Sequence, residues 1–133
     1  MQNIIQMNKA YVVLIGFMVF FTFHTLATQT PKTKKLTEAQ KIEYLIAFIA
    51  KQDGVFIRNG SEYTPSQAAE HLRMKWNKAE KMIKTADDFI AKLATNSSVS
   101  GKPYLIKFKT GRSTQLAPLL RLELKRLEET LQQ

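Results

Sequence analysis

Apolar positions along the chain change period several times, and each change marks an element. Ile42, Leu45, Ile46 and Ile49 recur at steps of three and four, the spacing of one helix face. Thr37-Glu38-Ala39-Gln40 before them reads as a capping box, and Asp53-Gly54 reads as the stop, with the glycine in a left-handed cap. Val55-Phe56-Ile57 is too short for a helix and predicts a strand, closed by the turn dipeptide Asn59-Gly60. Thr64, Pro65 and Gln67 then form a second capping box with proline at the first helical position. The helix they start is predicted to run to about Ile83, with Ala69, Leu72, Trp76, Ala79 and Ile83 on one stripe and Trp76 as the core anchor. Thr85 with Asp88 caps a third, short helix whose Ala86, Phe89, Ile90 and Leu93 face inward. After the polar loop Asn96 to Gly101, Tyr104, Ile106 and Phe108 alternate with Leu105 and predict a strand. Thr110-Gly111 is a turn, and Pro118 belongs to the first turn of a last helix striped by Leu120, Leu124, Leu127 and Leu131.

These elements make an α+β chain, mainly helical, with about four helices and a small two- or three-stranded sheet in a single domain over 37–133. The first 27 residues follow another logic. Ala10 to Phe23 is almost wholly apolar, Lys9 alone is charged before it, and Thr25 and Ala27 are small residues at the −3 and −1 positions of a cleavage site. This layout predicts a cleaved signal peptide over 1–27, followed by a flexible leader over 28–36. An uncleaved anchor is the alternative, opposed by Thr22, His24 and Thr25, which interrupt the run early. The expected location is therefore the periplasm or the exterior, with no stable membrane span after cleavage.

The chain carries 20 basic and 11 acidic residues and a formal charge of +9, which cleavage would lower by Lys9 alone. Such a surface favours anionic partners, but the lysines are scattered, in runs no longer than a pair. A solvated basic surface explains them equally. The absence of cysteine excludes a disulfide framework, a zinc–thiolate site and a lipid-modified cysteine at the cleavage site.

Three groupings of side chains invite chemistry. Glu62, Glu70 and His71 are too few for a metal site, and adjacent residues of a helix point about 100° apart. His71 reads as an exposed or capping histidine. Ser97, Ser98 and Ser100 lack a nucleophile elbow and read as a loop whose hydroxyls satisfy backbone groups. The third set is Arg58, Asn59, Tyr63, Arg73, Lys102 and Tyr104, with Ser61. If the two strands pair, these residues meet on one rim of cationic donors, amides and aromatic faces, suited to an anionic or sugar-like ligand. Turn chemistry alone explains Asn59-Gly60 just as well. No catalytic residue, metal ligand or cofactor is expected.

Several stretches carry a family resemblance: FIRNGSEY at 56–63, AAEHLRMKW at 68–76, TADDFI at 85–90 and SSVSGKPYLIKF at 97–108. The chain resembles the small exported bacterial proteins grouped as domain of unknown function 5329. The resemblance implies an exported, periplasmic protein and brings no activity with it. Members of that family carry cysteines where Gly54 and Phe108 stand here, which implies that these two positions lie side by side and that Val55 to Arg58 pairs with Tyr104 to Phe108. A tryptophan near the start of the family's last helix is Leu119 here.

A non-enzymatic exported binding or interaction module fits these readings best, its partner an anionic or glycan ligand of the envelope or a protein. A winged-helix nucleic-acid binder is the alternative, because the element order and TPSQAAEHL suit one. Its reading helix would begin with Asp87 and Asp88, which repel phosphates. A small envelope hydrolase is a further alternative and lacks a nucleophile–base pair.

Overall fold

The computed structural model describes residues 35–133. The expected signal peptide and nearly all of the expected leader lie outside the described residues. Four helices, α1 (Glu38–Ala50), α2 (Pro65–Ala79), α3 (Ala86–Leu93) and α4 (Leu116–Leu131), accompany four strands, β1 (Gly54–Arg58), β2 (Ser61–Tyr63), β3 (Leu105–Phe108) and β4 (Ser113–Gln115). The sheet is antiparallel throughout, in the order β2-β1-β3-β4. The α+β class holds, with four strands rather than two or three.

Both capping boxes form as the sequence predicts. Thr37 Oγ1 accepts from Gln40 N at 3.2 Å while Thr37 N donates to Gln40 Oε1 at 2.9 Å, and Thr64 with Gln67 repeats the pair at the same distances. Thr85 caps α3 by accepting from Asp88 N. Each box satisfies two of the donors that a helix start leaves open, and a cap of this kind contributes about 1 kcal/mol. α2 stops at Ala79, earlier than the stripe predicts; a 3-10 turn over Glu80–Met82 carries the chain to buried Ile83.

α1 ends at Ala50 with Lys51 right-handed, so Gly54 is not a left-handed cap. It is the first residue of β1, directly opposite Phe108 of β3. A Cβ there would run into the carbonyl oxygen of Lys107, so glycine is required by the close approach of two backbones. The pairing of β1 with β3 and the neighbourhood of positions 54 and 108 both hold. Asn59 (φ 54°) and Gly60 (φ 81°) are left-handed and join β1 to β2 in a two-residue hairpin.

The core is built from the predicted stripes. Ile42, Leu45, Ile46 and Ile49 of α1 meet Leu72 of α2, Phe89 and Ile90 of α3, and Leu120 and Leu124 of α4. Phe56 and Ile106, paired across β1 and β3, are the buried residues of those strands, so one face of the sheet joins this core. Phe89 has no exposed surface, whereas Trp76 is half-buried and meets the Phe89 ring edge-to-face at 6.5 Å between centroids. The anchor is therefore Phe89; Trp76 lies at the margin of the core. No helix among the described residues is long and apolar enough to cross a membrane.

Candidate functional site

β1 and the first three turns of α2 bound a cavity of about 260 Å³. The strand brings Phe56, Ile57 and Arg58 to one wall, and Tyr63 follows at the end of β2. Gln67 and His71, four residues apart, line the α2 wall, so they stack on one helix face. Tyr104 and Leu116 close the floor. Tyr104 is held there from both sides: its N–H donates to Thr95 O at 3.0 Å and its carbonyl accepts from Leu116 N at 2.9 Å.

Arg58 is the centre of the electrostatics. Its Nη1 lies 3.0 Å from Nδ1 and 2.9 Å from Nε2 of His71, and its guanidinium carbon lies 5.3 Å from the centroid of the Tyr63 ring. A guanidinium only donates, so the imidazole accepts and is neutral. Burial pushes the His71 pKa down, and the charges of Arg58, Lys75 and Lys78 push it further the same way. Lys75, one turn beyond His71, donates to Leu93 O at 2.8 Å, reaches the Tyr104 hydroxyl at 3.3 Å and sits 5.3 Å from the centre of that ring. Burial first, then Arg58, lowers its pKa, and burial raises that of Tyr104. Nε of Arg58 is buried without a hydrogen-bond partner. Among the described residues no carboxylate forms an ion pair with Arg58 or Lys75. Arg58 thus stands on a half-buried, aromatic-walled cavity with Lys75 close behind it; Glu70 lies on the same lining but is not paired to either cation.

Of the six residues placed on the rim from sequence, the fold brings Arg58, Tyr63 and Tyr104 to this cavity. Asn59, Arg73 and Lys102 do not line it. Asn59 instead accepts from the hydroxyl of Ser100, tying the β1–β2 turn to the 96–101 loop. Arg73 lies two residues past His71, about 200° around the helix, and pairs with Glu43 of α1 at 2.5 Å. Lys102 is exposed beside that loop, where its N–H donates to Ser100 Oγ at 3.2 Å. His71 is neither exposed nor a cap, as its sequence context suggested. The i, i+4 series Gln67, His71, Lys75, beside the apolar stripe of α2, is the signal that points to it. Glu62, Glu70 and His71 form no metal-ligating group; none occurs among the described residues. Ser97 Oγ accepts from Val99 N at 3.3 Å, a loop-shaping role.

Comparison with known proteins gives two matches. The model of a family of unknown function, DUF5329, matches residues 36–128. The uncharacterized protein YfeK of Salmonella typhimurium (strain LT2) is 42% identical over 67 residues, which is 50% of this chain and 56% of that relative. The matched stretch therefore spans little more than half of the relative's length. No solved structure matches the chain. The family match runs from the lead-in to α1 through most of α4 and takes in every residue of the cavity, and on that extent the chain belongs to the family of unknown function DUF5329.

Proposed function

We propose that the protein is an exported binding module without enzymatic activity that takes an anionic ligand against Arg58. The observation that carries the reading is a half-buried guanidinium, held by His71 and Tyr63 beside a cavity, with no carboxylate partner among the described residues. Holding a cation in partly desolvated surroundings is costly unless something pairs with it. A ligand anion would supply that pairing and bond to the guanidinium in a medium where the bond is strong. The N-terminal layout of Lys9, the apolar run and Thr25-Leu26-Ala27 supports export.

The nucleic-acid alternative fits less well. The start of α3 carries Asp87 and Asp88, and the N–H of Ala86 is already taken by Glu38 Oε2 at 2.8 Å. That helix start offers phosphates acidic groups in place of open donors.

The test is thermal-shift titration of the protein with a panel of carboxylates, phosphates and acidic sugars at two salt concentrations. A binding anion raises the melting temperature, and Arg58→Gln abolishes the rise while Arg73→Gln keeps it. A rise that survives Arg58→Gln would place the anion elsewhere. A steep log-linear salt dependence with duplex DNA, lost when lysines of the 81–92 segment are replaced, would favour the nucleic-acid reading instead. Export is tested by mass spectrometry of the periplasmic or secreted protein, where an N-terminus near Thr28 is expected and intact residues 1–27 would refute cleavage.

A further inference from the structure

We infer that the ligand is a single carboxylate carried on a compact apolar or aromatic body. The inference rests on the reading of Arg58 as the anion anchor and adds the class of molecule it anchors. Three features of the cavity carry it.

The first is the wall. Phe56, Leu72 and Leu116 are buried at its base, and Tyr63 and Met74 stand at its sides. Met74 is about half exposed there, a long, polarisable side chain that adapts to an apolar guest. Polar side chains on the lining are few: Arg58, Gln67, Glu70 and His71, with the tyrosine hydroxyls. A sugar ring needs a partner for each hydroxyl it loses to burial, and several of these groups are already engaged: His71 with Arg58, Gln67 with the Thr64 backbone N–H and the Tyr104 hydroxyl with Lys75. The volume, about 260 Å³, lies just below the range of drug-sized sites, about 300–1,000 Å³, and suits a small molecule rather than an oligosaccharide.

The second is the charge. Arg58 is the guanidinium on the lining, and Glu70 is a carboxylate on the same lining. Lys75 does not line the cavity and is occupied by Leu93 O and Tyr104. One negative charge is matched by Arg58. A second, as on a phosphate monoester, would meet Glu70 without a further cation.

The third is the shape of the donor. His71 takes Nη1, which leaves the Nε–Nη2 edge of the guanidinium, and Nε has no protein acceptor. That edge is the fork that a planar carboxylate meets with two parallel hydrogen bonds. Nε is shielded from water as the side chain stands, so entry of the carboxylate requires a small rotation of the guanidinium or of the Tyr63 ring stacked on it.

The test is calorimetric titration of the full chain with 3-phenylpropanoate, its uncharged amide, glucuronate and phenyl phosphate. The acid is expected to bind, with each of the other three about tenfold weaker or more. Arg58→Gln should bring the acid down to the level of the amide. Arg58→Lys, which keeps the charge and loses the fork, should weaken the acid as well. Circular dichroism of both variants confirms that they fold. If the acid and the amide bind equally, there is no anion anchor, and the underlying reading falls with this one. If glucuronate or phenyl phosphate binds more tightly than 3-phenylpropanoate and Arg58→Gln removes that binding, the anchor stands and the ligand class is overturned. Absence of binding by 3-phenylpropanoate at about 10 mM also overturns the class.

Discussion

Two arginines leave α2 and its neighbour β1 toward opposite sides of the molecule, and they are treated differently. Arg73 meets Glu43 across α1 and α2, with side chains 43% and 47% exposed. Around it the helical side is laced with matched charges: Lys41 bridges Glu38 and Glu128, Lys92 pairs with Asp88, and the Tyr44 hydroxyl donates to Glu123 at 2.6 Å. Arg58 meets a neutral imidazole and a phenol ring, with Lys75 close by and, among the described residues, no acid paired to either. Solvation and salt-bridge partners account for the charges on the helical side. On the sheet side Lys109 pairs with Asp53 in solvent, whereas Arg58, half-buried, has no carboxylate partner among the described residues, which is the kind of perturbed setting from which the binding proposal starts.

The largest effect expected from this contrast is in the helical core. Phe89→Ala should cost about 3–5 kcal/mol in denaturant unfolding, because a fully buried ring leaves a cavity. Trp76→Ala should cost less, about 2 kcal/mol, since that side chain keeps part of its surface in solvent at the margin of the core. Equal losses would mean that the core extends further toward α2 than its burial indicates.

Gly54→Ala comes next. The added methyl collides with the Lys107 carbonyl, so β1 and β3 must part locally, at about 1–3 kcal/mol. An unchanged midpoint would show that the strand ends yield freely. The same collision predicts that a cysteine pair at 54 and 108 closes only after the strands shift, although the two positions are directly opposed.

The two arginines themselves should separate next. Arg73→Met should cost less than about 1 kcal/mol, the usual worth of an exposed ion pair. Arg58→Met should be neutral or slightly stabilising, because it removes a half-buried cation and a buried donor without a partner. A large loss at Arg58 would make it a structural residue and remove the main support for the anion site.

The smallest effect is the pH response of His71, whose folded pKa lies below the ordinary value of 6.5. Its contribution to stability is complete above about 6.5. It declines as the pH falls from there toward the folded value, because the unfolded chain takes up the proton first. An anion beside Arg58 would offset the surrounding cations and raise the His71 pKa, so anion affinity should increase as the pH falls through the titration of His71 in the complex. His71→Asn should flatten both profiles; stability curves that superimpose on the unaltered protein would dissociate His71 from the cluster.

Local chemistry was enough to locate most of the fold from the amino-acid order. Capping boxes at Thr37 and Thr64, the cap at Thr85 and the stripes of α1, α3 and α4 depend on neighbours within a turn or two, so they are written in short stretches of sequence. β2 escaped because three residues are too few to show a period, although Asn59-Gly60 marks the hairpin that makes Ser61–Tyr63 a strand; β4 is the optional third strand after the Thr110-Gly111 turn. Arg58, Tyr63 and Tyr104 were legible as a group because strand pairing brings them together. Arg73, Asn59 and Lys102 were misplaced because sequence proximity does not say which way a helix or turn faces in the assembled fold. Only the docking of α2 between α1 and β1 decides that Arg73 finds Glu43 while His71, two residues earlier, finds Arg58. Caps and stripes are short-range and repeat with the backbone's own period; a binding site is a meeting of side chains far apart in the chain, and tertiary packing alone sets which of them meet.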